Sequence, residues 1–294
     1  MQKDFGRVLT AMVTPFTTDN KLNIPAAQTM AKYLVSNGSD GLVIAGTTGE
    51  SPTLTKEEKF ELFKEVKGVV GKDVPVLAGT GSYNTEESVN QTKLAEKAGV
   101  DGILAVVPYY NKPSQEGLYQ HYSKIAKSTY LPIMLYNIPS RTGCNLLPNT
   151  VARLAEIDNI VAIKESSGNM DQMTELKRQL GNDFLIYSGD DSLTLPMLSL
   201  GGHGIVSVVS HLIGEKIKLM VQKFHSGEKE EALALHLEMF ELIKTMFITT
   251  NPVPIKTALA LLGFEVGGFR LPLVKATEEE VTVIKKVMQK NNLL

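Results

Sequence analysis

The chain has no tryptophan and one cysteine, Cys144, among 294 residues. A lone cysteine cannot form an internal disulfide, so a disulfide-stapled secreted scaffold is excluded. Neither sign of charge dominates: 30 Lys and Arg against 32 Asp and Glu leave a formal net charge of −2. A nucleic-acid groove or a patch for an anionic membrane surface needs a basic block, and none is present. The five histidines show neither His-x-x-x-His spacing nor a linked glutamate, so metal ligation is not expected. No Gly-x-Gly-x-x-Gly fingerprint and no Walker loop stands between a strand pattern and a helix pattern. The opening MQKDFGRVLTAMVTPF carries Lys3, Asp4 and Arg7 and lacks a long apolar centre. No secretory signal is therefore expected, and a reducing, cytoplasmic setting is. The longest stretch without Asp, Glu, Lys or Arg runs from Ser192 to Gly214. It is long enough to cross a bilayer. However, Pro196, Gly201, Gly202 and Gly204, with four serines and two histidines, break it into helix, turn, strand and turn.

What is present is a regular alternation. Hydrophobic residues make up 43% of the chain, enough for a large core. Eight short β-rich runs recur: VLTAMVTPF from Val8, GLVIAG from Gly41, VPVLAGTG from Val74, GILAVVPYY from Gly102, PIMLYNIP from Pro132, IVAIKESSG from Ile160, FLIYSGDD from Phe184 and GIVSVVS from Gly204. Their interiors are almost continuously apolar, as expected of parallel strands covered on both faces. Helical patterns lie between them. Thr55 to Glu58 has the form of a capping box, and Leu62, Phe63, Val66, Val69 and Val70 follow at helical spacing. Asn84 to Glu87 opens a second helix. Leu118, Tyr122, Ile125 and Ala126 form one stripe, and Met173, Leu176 and Leu180 another. Eight β/α units in a chain of this length predict an α/β fold, a TIM (β/α)8 barrel, whose usual size is about 250 residues. The alternative is a doubly wound open sheet, which more often has about five or six strands. After the eighth strand the pattern becomes purely helical. Residues 1–226 are read as the barrel and 227–294 as a C-terminal domain of about three helices, the last opened by Thr277 and Glu280.

One charge stands out against this pattern. In IVAIKESSG, Lys164 follows four apolar residues of what reads as a buried strand. A lysine there either marks the strand's end and turns to solvent, or is an amine held out of water, where its neutral, nucleophilic form is favoured. In a barrel, active residues sit at the C-terminal strand ends and in the loops just after them. Lys164 is at such an end. So are GTTGES (Gly46 to Ser51), PYYNKP (Pro108 to Pro113), YNIPSRTG (Tyr136 to Gly143) and SGDD (Ser188 to Asp191). GTTGES reads as a tight turn or as a hydroxyl and backbone cradle for an oxyanion. Tyr109 and Tyr110 read as core aromatics or as site residues. Arg141 is a surface arginine or a bidentate grip on a carboxylate. Asp190 and Asp191 resemble a paired carboxylate but read equally well as a helix N-cap.

GTTGES, PYYNKP, YNIPSRTG, AIKESSG and GGHGIVSV occur together in the order and spacing of the dihydrodipicolinate synthases, now called 4-hydroxy-tetrahydrodipicolinate synthases. These are Schiff-base lyases of the N-acetylneuraminate lyase superfamily, and the resemblance covers essentially the whole chain. It implies that Lys164 condenses with pyruvate and that Tyr136, Thr47 and Tyr110 relay protons, Tyr110 being lent by a neighbouring subunit. Thr48 and Gly189 would hold the pyruvate carboxylate, with Val206 lining the pocket, and Arg141 would guide the carboxylate of L-aspartate 4-semialdehyde. The resemblance further implies no cofactor, no catalytic metal, no nucleic-acid or membrane partner, and a homotetramer built from tight dimers. The reaction would be the first committed step of the diaminopimelate and lysine pathway.

Three other functions are weighed. Another pyruvate lyase, such as N-acetylneuraminate lyase, would take a long sugar, which Arg141 in PSRTG suits poorly. A phosphate-dependent barrel would carry its glycine loop after strands seven and eight, whereas GGHG precedes strand eight. A non-catalytic sensor would be favoured by a broken tyrosine–lysine pair, and both residues are present. Many relatives are inhibited by L-lysine, and Ser51, Glu87 and Tyr109 match that allosteric site by resemblance. Pro52, Lys56, Lys59 and Tyr83 depart from it, which predicts weak or absent inhibition.

Overall fold

Eight parallel strands close on themselves in sequence order. They are β1 Val8–Ala11, β2 Gly41–Ile44, β3 Val76–Gly79, β4 Gly102–Val106, β5 Ile133–Asn137, β6 Ile160–Glu165, β7 Leu185–Ser188 and β8 Gly204–Ser207. β8 returns to β1, with Ile205 beside Val8 and Val206 beside Leu9. This computed structural model describes residues 4–294; Lys3 lies outside the described residues. Helices cover the outer face of the barrel and side chains fill its interior, so no strand needs a polar face. That is why all eight could be read as apolar runs rather than as alternations.

Alternation survives inside the barrel as two separate cores. Leu9, Val43, Leu77, Leu104, Met134, Tyr136, Ala162, Tyr187 and Val206 point inward and pack on one another. Their neighbours Val8, Leu42, Ile44, Val76, Ile103, Leu135 and Ile163 point outward into the layer beneath the helices. A strand's period of two forces this division. It is the division that places chemistry on one face and scaffold on the other.

The outer layer comprises α1 Ile24–Ser36, α2 Lys56–Val70, α3 Thr85–Lys97, α4 Gln115–Ala126, α5 Pro139–Thr142, α6 Pro148–Ala155, α7 Met170–Leu180, α8 Thr194–Ser199 and α9 Ser210–His225. The predicted Thr55 capping box is present: its hydroxyl accepts from the Glu58 amide, and the Glu58 carboxylate accepts from the Thr55 amide. Asn84 caps α3. In the stripes, Leu118, Tyr122, Ile125, Ala126, Met173 and Leu176 are buried, and Leu180 is half-buried. Ser192 to Gly214 contains α8, β8 and the start of α9. The apolar periodicity left α1, α5 and α6 unassigned, and α5 and α6 are only four and eight residues long.

Three helices follow the barrel: α10 Lys229–Thr245, α11 Val253–Leu261 and α12 Glu278–Lys290, the last with a full capping box from Thr277. Their buried residues, among them Met239, Leu242, Ile255, Leu259 and Ile284, join the same core as the outer barrel layer. Among the described residues, no helix is long and apolar enough to cross a membrane.

Candidate active site

The Lys164 side chain is enclosed. The residue is 5% exposed, in β6, and shares the inward face with Ala162. Its register partner across β5 is Tyr136, and the Lys164 Nζ lies 4.3 Å from the centroid of the Tyr136 ring. Of the two readings of the sequence, the solvent-facing lysine is therefore excluded. Apolar floor residues Val43, Leu104, Ile138 and Val208 surround a small cavity of about 60 Å3 next to it. Thr47, Thr48, Tyr136, Arg141, Lys164 and Gly189 line the same cavity. Six of the eight residues predicted to act or bind, Lys164 among them, thus converge on one small space from the ends of four strands, β2, β5, β6 and β7.

Gly189 approaches Lys164 so closely that no side chain fits. A Cβ on it would stand 1.8 Å from Ser166 Oγ and 2.7 Å from Lys164 Cε. Val206 and Tyr110 do not line this cavity. Val206 is fully buried in the inner core, and Val208, just past the end of β8, is the one that reaches the cavity. Tyr110 is 90% exposed in the single chain and adopts a left-handed backbone, φ +74°. A bulky residue held at positive φ carries strain of the kind found at functional positions.

A larger cavity of about 690 Å3 opens beside the first and shares Gly46, Thr47, Tyr136, Arg141 and Asn251 with it. Ser51, Pro52, Lys56, Lys59, Tyr83, Glu87 and Tyr109 line its far part. The Glu87 carboxylate accepts from Ser82 Oγ at 3.0 Å. Burial pushes the Lys59 ammonium below the usual lysine range, and Glu87 only partly offsets this. Burial first, and then the Glu87 charge, push the Tyr109 hydroxyl up.

Several site residues escaped the sequence reading. Asn251 and Phe247, which follow α10, line the small cavity. The Asn251 side-chain amide donates to Thr48 Oγ1 at 2.9 Å, and the Asn251 backbone carbonyl accepts from an Arg141 nitrogen at 3.3 Å. Behind the cavity, Asn137 and Glu165 continue the Tyr136–Lys164 register on the outward face. Glu165 accepts from Asn137 Nδ2 at 3.0 Å, from Gln172 Nε2 at 3.2 Å and from the Ser167 amide at 2.7 Å. Asp190 is an N-cap, accepting from the Ser192 amide. Asp191 is fully buried, and its carboxylate accepts from Ser207 Oγ and the Val208 amide. Burial pushes its pKa up to about 6, against those bonds. Lys256 was the one missed residue with a visible signal. It stands in the apolar helix IKTALALL much as Lys164 stands in its strand.

The enclosed amine, the tyrosine beside it, the two threonine hydroxyls and the arginine make a site suited to imine chemistry on a small keto acid. The dihydrodipicolinate synthetase family matches residues 4–291. The chain is 60% identical over 294 residues, all of both chains, to a 4-hydroxy-tetrahydrodipicolinate synthase of Desulforudis audaxviator. It is 59% identical over 292 residues, 99% of each chain, to one of Desulforamulus reducens. Its fold superposes with a TM-score of 0.97 on the crystal structure of DHDPS from Cyanidioschyzon merolae with lysine bound, at 48% identity and 99% coverage of each chain. On that fold, that site and these likenesses, the chain belongs to the dihydrodipicolinate synthetase family.

Proposed function

We infer that the chain is a lyase that condenses pyruvate with L-aspartate 4-semialdehyde, the activity of a 4-hydroxy-tetrahydrodipicolinate synthase. The observation that carries this reading is the Lys164 amine, enclosed against the Tyr136 ring in a cavity that also holds Thr47, Thr48 and Arg141. Lys164 Nζ attacks the pyruvate carbonyl carbon, and water leaves as the imine forms. The imine draws electrons from the methyl group, which loses a proton to give an enamine. That carbon bonds to the aldehyde carbon, whose oxygen takes a proton and becomes the hydroxyl. The semialdehyde's amine then adds to the imine carbon, closes the ring and releases Lys164.

Each proton needs a positioned acid or base. Tyr136 and Thr47 are at hand in the cavity. Tyr110, exposed and strained in the single chain, completes the relay in the cavity of a second copy. Thr48 and Gly189 receive the pyruvate carboxylate, and Arg141, at the boundary of the two cavities, receives that of the semialdehyde. The assembly is a tetramer of tight dimers working in the cytoplasm, and residues 227–294 form a domain that contributes Phe247 and Asn251 to the barrel rim.

Borohydride reduction in the presence of pyruvate tests the central step. One pyruvate-derived mass is expected per chain, on Lys164; label elsewhere, or none, overturns the reading. A product assay with the semialdehyde, with N-acetylneuraminate as competing substrate, tests the second half. The relay is tested by mixing Tyr110→Phe with Lys164→Ala chains. Some activity returns if one site of a mixed dimer inherits both intact groups.

A further inference from the structure

A buried ion pair that does not line the small cavity beside Lys164 takes no part in the chemistry described so far. The Lys256 and Glu50 side chains are both 0% exposed, and the Lys256 ammonium lies 2.9 Å from Glu50 Oε1. Taking two charges out of water is costly, and apolar residues of similar volume often serve packing as well or better. The pair's placement suggests a more specific role. Glu50 ends the loop after β2, and that loop leaves and re-enters ordinary backbone through two left-handed residues, Ala45 at φ +50° and Glu50 at φ +54°. Neither is glycine, and such positions persist where the surroundings over-determine them. Between them, the Glu50 amide donates to the Thr47 carbonyl at 3.1 Å and the Ser51 amide to the Gly46 carbonyl at 3.2 Å. Glu50 is thus tied through its backbone to Thr47, the neighbour of Thr48.

Lys256 grips the surroundings of this loop as well as its end. Its ammonium donates to the Thr14 carbonyl at 3.3 Å and the Gly268 carbonyl at 2.6 Å, which uses all three of its protons. Thr14 Oγ1 in turn donates to the Gly49 carbonyl at 2.7 Å. The other Glu50 oxygen accepts from the Arg270 amide at 3.3 Å. One ammonium from α11 thus joins the segment after β1, the loop after β2 and the segment after α11.

We propose that the Glu50–Lys256 ion pair is a positioning device, clamping the loop after β2 from the C-terminal helices so that the Thr47 and Thr48 hydroxyls are presented to pyruvate. The proposal rests on the reading of Lys164 as the pyruvate-binding amine. Lys256 and Glu50 touch no substrate; they act through the two threonines.

The test compares Lys256→Met, Glu50→Gln and the double variant by melting temperature, kcat and KM for pyruvate, and by borohydride labelling at saturating pyruvate. Lys256→Met leaves Glu50 buried and unpaired; its melting temperature falls and its KM for pyruvate rises about tenfold, as 1.4 kcal/mol of lost binding gives. The double variant has no unpaired charge, so it regains most of the melting temperature yet keeps the raised KM. Recovery of both quantities together, or an unchanged KM in every variant, overturns the proposal and leaves the pair a role in folding alone. Should Lys256→Met fail to fold, Glu50→Gln and the double variant carry the same comparison. Labelling of the unaltered chain separates the two readings. If it is absent, the Lys164 reading falls and this one with it; if it is present with unchanged KM values, this one falls alone.

Discussion

Lys164 and Tyr136 are register partners on adjacent strands, and the Lys164 Nζ stands 4.3 Å from the centre of the Tyr136 ring. One residue further along both strands, Asn137 and Glu165 are also partners, on the opposite face and hydrogen-bonded at 3.0 Å. The reacting pair is thus backed by a buried polar pair on the same two strands. Its geometry is fixed by a sheet rather than by loops, which is the arrangement that holds a site most accurately.

The contact between Gly189 and Lys164 leads to a sharp expectation. An alanine at 189 would place its Cβ 2.7 Å from Lys164 Cε and 1.8 Å from Ser166 Oγ. The lysine must shift, and misplacing a reacting group by about 1 Å costs on the order of 100-fold in rate. Gly189→Ala should fold, with a loss on the order of 1–3 kcal/mol from overpacking. Its rate of borohydride-trapped pyruvate labelling should fall about 100-fold. Labelling at the unaltered rate would show that this contact does not limit the lysine.

Arg141 should separate the two half-reactions. It lines both cavities, but the residue is exposed in the single chain, and its guanidinium is held by the Asn251 carbonyl at 3.3 Å. Arg141→Ala should keep pyruvate labelling, because Lys164 and Tyr136 are untouched. Condensation with the semialdehyde should drop about 10- to 100-fold, the worth of one charge-assisted hydrogen bond. Equal losses in the two assays would assign Arg141 to pyruvate or to the fold instead.

Asp191 makes stability depend on pH in an unusual direction. Its pKa is raised by burial from 3.8 to about 6. In the folded chain it therefore holds a proton over a range where the unfolded chain has already released it. The stabilisation is complete below the unfolded value and is lost as pH rises through about 6, amounting to on the order of 3 kcal/mol. Denaturant titrations from about pH 4 to pH 7 should show this loss in the unaltered chain. Asp191→Asn should remove that part of the slope. A slope unchanged by the substitution would place its origin elsewhere.

L-Lysine should inhibit weakly or not at all. The cavity of about 690 Å3 brings Ser51, Glu87 and Tyr109 together with Lys56, Lys59 and Tyr83. Glu87 alone among these offers a charge to an ammonium group, while two lysine side chains oppose a second one. Half-inhibition at saturating pyruvate should require more than about 1 mM L-lysine, less than about 4 kcal/mol of binding. A submillimolar value would show that the two lysines turn away from the ligand.

The strands and their order were legible because a closed parallel barrel buries both faces of every strand, which leaves eight apolar runs such as GLVIAG and FLIYSGDD. Thr55 with Glu58 and Thr277 with Glu280 announced two helix starts, since a capping box is a contact between residues three apart. Lys164 drew attention as a charge where only apolar residues were expected, and its neighbourhood was inferred from the family's motifs. What the sequence withheld was depth and distance. GIVSVVS does not mark where β8 ends, and the strand stops at Ser207: Val206 sits in the inner core, and Val208, past the strand end, lines the cavity. SGDD did not separate a capping Asp190 from a fully buried Asp191, because the donors that define Asp191 come from β8 and the turn after it. Asn251 and Lys256 lie 203 and 206 positions from the residues they hold, Thr48 and Glu50. No periodicity links positions so far apart. Docking of the last three helices on the barrel rim decides those contacts, because local rules reach one turn of helix or one strand pair, and tertiary packing decides which buried polar group meets which.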